Sequence, residues 1–299
     1  MGLNAPFLFM LWLILSILSA TGIFVTFKFI DKYNVPLINV IVVNYIVAAS
    51  FGFILNGSFP VKEIVSSNWI FPAMIIGLLF ILMFFVVGKS SQKAGISITT
   101  VASKMSVVIP MLFAIIAYNE IVSTLKIIAI ILAVFAVALS VYAKPEKSNR
   151  SGLLAVILPL VLFLGMGINN SLMIYSKENY VNAEMSSVFT AASFGTSLLF
   201  GIIIVFAKPS ALKGFKLYKT WVLGGILGAV NFGAVYFMFR VLNTGLFANS
   251  VTYGIVDVGI VALTVIIGTM FFKEKLSRIN IFGVSLSIIT IVLLTLADL

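Results

Sequence analysis

The chain has no cysteine and no histidine. Without cysteine there is no disulfide, no thiolate nucleophile and no thiolate zinc site. Without histidine the commonest general base and metal ligand is missing. Acidic residues are scarce too, nine in 299, and most fall at the ends of apolar segments. A catalytic constellation is hard to build from what remains. The expectation is a protein that is not an enzyme and needs neither cofactor nor metal. No G-x-x-x-x-G-K-[ST] loop is present, so ATP is not expected to act directly.

Charge of either sign is in short supply. Charged residues make up 9% of the chain and apolar residues 62%, against about 25% and about 45–50% in soluble domains. A soluble protein this apolar could not cover its surface with polar groups. Lipid is the expected solvent for most of it. The segment before the first apolar run, Met1 to Pro6, carries no positive charge. A secretory signal wants a basic start, a shorter apolar stretch and a small-residue cleavage site. The first run is therefore expected to be a retained helix.

Apolar runs separated by short polar punctuation predict ten spans, near 7–27, 36–55, 69–88, 97–118, 124–143, 152–176, 184–207, 220–240, 246–272 and 279–297. Each has about the length that crosses a hydrocarbon core of roughly 30 Å. Backbone groups in lipid must be satisfied internally, and uninterrupted runs lack the alternation of barrel strands. The spans are helices.

An even number of spans puts both termini on one side. The loops opposite the termini hold Lys28, Lys32, Lys89, Lys93, Lys144, Lys147, Arg150, Lys208, Lys213, Lys216, Lys219, Lys273, Lys275 and Arg278. The terminal side holds only Lys62, Lys126, Lys177 and Arg240. Basic loops stay cytoplasmic, so the termini are expected to face outward. The net charge of +10 then follows from topology, and nucleic acid is not an expected partner.

The charged connector 144–150 lies near the midpoint, which invites a search for an internal repeat. Trp69, Phe80 and Phe85 recur as Trp221, Phe232 and Phe237, a shift of 152; Glu120 and Ser123 recur as Glu274 and Ser277, a shift of 154. Leu132 and Leu139 recur as Leu286 and Leu293. The predicted fold is an all-α membrane protein of ten transmembrane helices. It is read as two inverted five-helix repeats, 1–145 and 151–299, because five is odd and the second copy enters the membrane upside down. Inverted repeats of this kind characterise many secondary transporters, with the substrate site between them near the midplane.

The stretch from Ala94-Gly95-Ile96-Ser97 through Pro110 to Asn119-Glu120, followed by the fifth span, resembles the fourth-to-fifth-helix pattern of the drug/metabolite transporter superfamily, in its EamA-type ten-helix branch. Gly245 through Lys273-Glu274-Lys275-Leu276-Ser277 and Gly283 resembles the same pattern in the second copy. The second copy departs from it by having Thr264 where Pro110 stands in the first. The resemblance implies export or exchange of small metabolites, such as amino acids or related compounds. Some relatives have cytoplasmic termini, against the loop charges; the charge reading is kept.

Two ionisable residues fall inside spans, Lys104 in the fourth and Asp257 in the ninth. Such residues usually face a cavity or a partner. Asp257, with its short side chain, is expected to line a cavity. Lys104 either lines it or snorkels to the interface. Counting depth from opposite faces separates the two by roughly 10 Å, so direct pairing is not expected.

Further candidates for a substrate or coupling site are Asn44, Ser103, Asn169, Asn170, Asn231, Tyr236, Asn249 and Tyr253. Tyr45, Ser106 and Thr190 are weaker ones. Glu120 and Glu274 are expected to act at helix boundaries, where Lys126 or Lys275 and a nearby serine offer partners. Gly224 and Gly228 suit close helix packing within the molecule.

The reading is a secondary transporter of small metabolites, exporting or exchanging them through a central polar cavity. It is expected to work as a monomer in the bilayer of a bacterial plasma (inner) membrane. An uptake carrier for sugars or drug-like compounds is the alternative within transport. Outside transport, a non-catalytic signalling or scaffold protein is conceivable, though it would not need an inverted repeat.

Overall fold

The computed structural model describes residues 5–56, 61–118, 123–142, 150–181, 186–247 and 249–297. These residues form helices and connecting turns, with no strand among them. In chain order the helices are α1 (Ala5–Lys32), α2 (Leu37–Asn56), α3 (Val61–Ser66), α4 (Ile70–Lys93), α5 (Ile96–Met105), α6 (Val108–Tyr118) and α7 (Thr124–Val141). They continue with α8 (Arg150–Asn179), α9 (Ser186–Ala207), α10 (Tyr218–Leu242), α11 (Asn249–Met270) and α12 (Arg278–Ala297). Joined as one span, α5 and α6 bring to ten, among the described residues, the stretches that are long and apolar enough to cross a membrane. The protein is an integral membrane protein. Two elements were not expected from sequence: the short α3 and a 3-10 segment, Pro209–Lys216. The connector 144–150 lies outside the described residues except for Arg150.

The fourth span is broken for a local reason. Pro110 has no N–H, and its ring excludes the carbonyl four residues back, that of Ser106. The chain answers with tight turns: Val107 N–H reaches the Lys104 carbonyl and Ile109 N–H the Ser106 carbonyl. The Ser106 hydroxyl donates to the Ser103 carbonyl at 2.6 Å. The ninth span, with Thr264 in the corresponding place, runs unbroken as α11, and the Thr264 hydroxyl donates to the Ile260 carbonyl at 2.5 Å.

Side-chain size is sorted as lipid demands. On α7 the inward face is Ala129, Ala133, Ala136 and Ser140, whereas Ile128, Ile131 and Phe135 point outward. Tail carbons outside are as apolar as leucine, so bulk gains nothing from facing inward, and small residues let helices approach. A Cβ on Gly283 of α12 would collide with the Ser140 backbone. Gly224 and Gly228 of α10 do the same against α2: a Cβ on Gly228 would lie 2.6 Å from Val47 Cβ and 2.7 Å from the Asn44 carbonyl oxygen. The pair packs within the molecule.

Helix neighbours follow a regular scheme. α1 lies against α10 and α8 against α4; α2 packs on α9 and α10, and α9 on α2 and α4. α7 meets α12, and α5 meets α11 at the centre. Around the first turn of α5, on the side of Lys28, Lys32, Lys89 and Lys93, the interior is filled by Phe27, Ile30 and Ile96, each fully buried, with Phe84 edge-on to Phe27 at 5.6 Å.

Candidate functional site

A cavity of about 300 Å³ opens where α1, α4, α5, α8, α9, α10 and α11 converge. Most of its wall is apolar: Ala20, Phe80, Met173, Phe194, Val235, Met238 and Ile260 contribute. Ser16, Thr190 and Tyr253 supply hydroxyls, and Lys104 and Asp257 supply the charge. Met173, Thr190, Phe239 and Tyr253 each lie within about two turns of the helix end on the terminal side. The cavity therefore belongs to the half of the bundle nearer the termini, while the basic face is filled by the packed core.

Lys104 and Asp257 touch. The Lys104 ammonium donates to the Asp257 carboxylate at 2.6 Å, with their side chains 24% and 22% exposed. This corrects the expectation of separate depths, and the reason is a matter of reference level. Gly268 of α11 packs on Ser97 of α5, where its Cβ would lie 2.5 Å from the hydroxyl. Measured from that shared level, Lys104 is seven residues along and Asp257 eleven. At about 1.5 Å per residue the offset is only about 6 Å, which one lysine side chain spans. Lys104 does not snorkel to the basic face; its charge is spent in the cavity.

The other sequence candidates divide. Tyr253, one turn from Asp257, lines the cavity, as does Thr190. Asn169 is fully buried on α8, one turn below Met173, and neither its amide N nor its O has a hydrogen-bond partner. Its neighbour Asn170 is half-buried. Asn44 and Asn231 sit away from the cavity and meet each other at 3.2 Å between α2 and α10. Tyr45 is fully buried against Phe84 and Phe194. Tyr236 is half-buried in an aromatic run with Phe232 and Phe237. Ser103 is half-buried and Ser106 buried, and both serve the helix break. Asn249 begins α11, but its side chain lies outside the described residues, as does Glu120.

Sequence reasoning passed over the apolar wall, and of α9 it singled out Thr190 but not Phe194. It looked for polar side chains, and Phe80, Met173, Phe194 and Met238 carry no signal that separates a cavity wall from a lipid-facing or core residue.

Glu274 takes partners other than those expected. Its carboxylate accepts from the backbone N–H of Ile96 at 2.7 Å and of Ser97 at 3.2 Å, and from the Ser97 hydroxyl at 2.8 Å. The Lys28 ammonium stands 3.6 Å away. It thus caps α5, a helix of the other half of the chain, where unpaired N–H groups and the helix dipole favour an anion.

No family model matches the chain. It is similar to a protein of Haemophilus influenzae described only as uncharacterized, with 28% identity over 295 residues that cover 96% of this chain and 98% of the relative.

Proposed function

We propose that the protein is a secondary transporter that exports or exchanges a small amphipathic metabolite, an amino acid or related compound, by alternating access. The observation that carries this reading is the Lys104–Asp257 pair, set in the wall of an otherwise apolar cavity. Intramembrane charges are costly and are kept where a substrate or ion path uses them. A ligand bearing an ammonium and a carboxylate offers each side chain the charge it now finds in the other. The apolar wall suits the remainder of such a molecule, and the volume is at the lower end for small-ligand sites.

The helix scheme supports two repeats of opposite orientation, 1–145 and 151–299. Exchanging the first five spans for the last five turns α1 against α10 into α8 against α4, and α2 against α10 into α9 against α4. The contacts of α7 with α12 and of α5 with α11 map onto themselves. This is the pattern of inverted-repeat transporters. Together with the resemblance to EamA-type carriers it favours membership of the drug/metabolite transporter superfamily, with a bacterial plasma membrane as its location. The chain's poverty in catalytic groups favours transport over enzyme chemistry.

The test is flux in proteoliposomes loaded with a panel of labelled metabolites. The expected result is saturable movement of a zwitterionic compound, abolished in Asp257→Asn while the variant still folds and inserts. Undiminished flux in that variant would falsify the assignment of the site. Saturable flux of sugars alone would move the reading to the alternative carrier.

A further inference from the structure

We infer that Glu274 is the latch that holds the basic face of the protein shut. This rests on the alternating-access reading and adds to it the contact that must break when the site turns to the other side. The cavity occupies the terminal half of the bundle, so the present arrangement is closed toward the basic loops.

The seat of the latch is built from both halves of the chain. Gly95 has φ of +94°, which a residue with a Cβ rarely adopts, and a Cβ there would lie 2.6 Å from the Glu274 carboxylate. Gly268 repeats this from the other side, with its Cβ position 2.6 Å from the second carboxylate oxygen. The turn after α11 aims the side chain: Glu274 N–H reaches the Gly268 carbonyl at 2.9 Å, and Lys273 is held at φ of +54°. Four groups then meet the carboxylate: two backbone N–H, the Ser97 hydroxyl and the Lys28 ammonium. Lys28 also donates to the Ser91 carbonyl at 3.4 Å, which joins α1 and α4 to the same point.

The contact sits where it can gate. It ties the C-terminal end of α11 to the N-terminal end of α5, the two helices that carry Asp257 and Lys104. Any movement that opens a path from the ion pair to the basic face must part these ends. While Glu274 is seated the two orphan N–H groups of α5 are satisfied; once it leaves they need water. Opening that face is therefore coupled to hydrating the seat.

The absence of native cysteine makes the test clean, because one introduced cysteine is the only thiol. Ser91→Cys, fully buried beside the latch, reports opening of the basic face. Ala234→Cys, in the cavity wall, reports the terminal side. Labelling of the purified full chain in detergent by a charged maleimide needs no substrate. Adding Glu274→Ala should speed labelling at position 91 at least tenfold and slow it several-fold at 234. Glu274→Gln, which keeps the acceptor oxygen and loses the charge, should move both rates the same way by less. Ser97→Ala, milder still, serves if Glu274→Ala fails to fold.

Unchanged rates at 91 in the folded variants sink the latch. So does acceleration at both positions, which means general loosening. Because the labelling reads conformation alone, either result leaves the flux test of transport standing. Reciprocal labelling without flux would keep the latch and remove the transporter.

Discussion

Asp257 in α11 and Lys104 in α5 stand 153 residues apart in sequence and 2.6 Å apart in space, and among the described residues of the cavity wall these two carry the charge. Their helices come from opposite halves of the chain, and Gly268 lets them pack closely at the basic end. The pair is water-accessible, not sealed, which leaves both charges available to a third party.

Removing one partner strands the other. Asp257→Asn leaves the Lys104 ammonium facing the cavity without its counter-charge. Since both side chains keep about a fifth of their exposure, water shares the burden. The expected loss is about 1–3 kcal/mol, below what a sealed pair would cost. Lys104→Gln should cost a similar amount, because it strands the Asp257 carboxylate in the same way. The double variant should recover part of both losses, a coupling of about 1–2 kcal/mol in thermal unfolding of the detergent-solubilised protein. Simple additivity would mean that the contact contributes nothing.

Close approach of α10 to α2 predicts a second effect. At Gly228 any side chain meets Val47 and the Asn44 backbone. Gly228→Val should destabilise the fold by about 1–3 kcal/mol through overpacking, while Gly225→Val, with open space around it, should change it by less than about 0.5 kcal/mol. Equal responses at the two positions would show that this contact is looser than described.

Most of the architecture was legible because lipid imposes a simple rule: about twenty apolar residues make a helix, and charges mark its ends. The span count, the placement of polar punctuation and the packing role of Gly224 and Gly228 followed from it. The pairing of Lys104 with Asp257 did not, since depth counted from helix ends misses how two helices are offset where they pack. Nor did the partners of Glu274, because nothing local says that a loop after α11 will cap α5. Asn280 was missed for the same reason. Its amide bridges the Ser140 carbonyl at 2.7 Å and the Tyr142 carbonyl at 2.9 Å at the end of α7, and in sequence it is one more polar residue at a helix start.

Asn280 yields a third expectation. Its Nδ2 satisfies carbonyls that the last turn of α7 leaves without partners, and its Oδ1 accepts from the Ser277 hydroxyl at 2.6 Å. Asn280→Ala orphans these groups near the basic face. The expected cost is about 1–3 kcal/mol, read as a lowered unfolding midpoint. Asn280→Asp keeps the acceptor but places a carboxylate against carbonyl oxygens, so it should be at least as damaging as alanine. A tolerated Asp variant would mean that the donor role is unimportant.

The last expectation concerns orientation, which no contact within the molecule fixes. Fourteen of the nineteen basic residues fall in the loops and helix ends opposite the termini, and four on the terminal side, with Lys104 inside a span. Retention of Lys and Arg loops in the cytoplasm is an energetic and kinetic bias of insertion, strongest for short loops such as these. On this bias Lys28, Glu274 and the basic end of α5 are expected at the cytoplasm and the mouth of the cavity outside. A reporter active only beyond the membrane, fused after Leu299, should be active, and the same reporter inserted within 144–150 should be silent. The reverse pattern would turn the cavity toward the cytoplasm. The ion pair and the latch would stand unchanged, but Glu274 would then hold the outer face shut, and the basic loops would need another explanation. Moving charge tests the cause as well as the outcome. Replacing Lys208, Lys213, Lys216 and Lys219 together by Gln removes four positive charges from one connector and should yield a mixed population of orientations, whereas Arg240→Gln on the terminal side should leave the reporter pattern as it was.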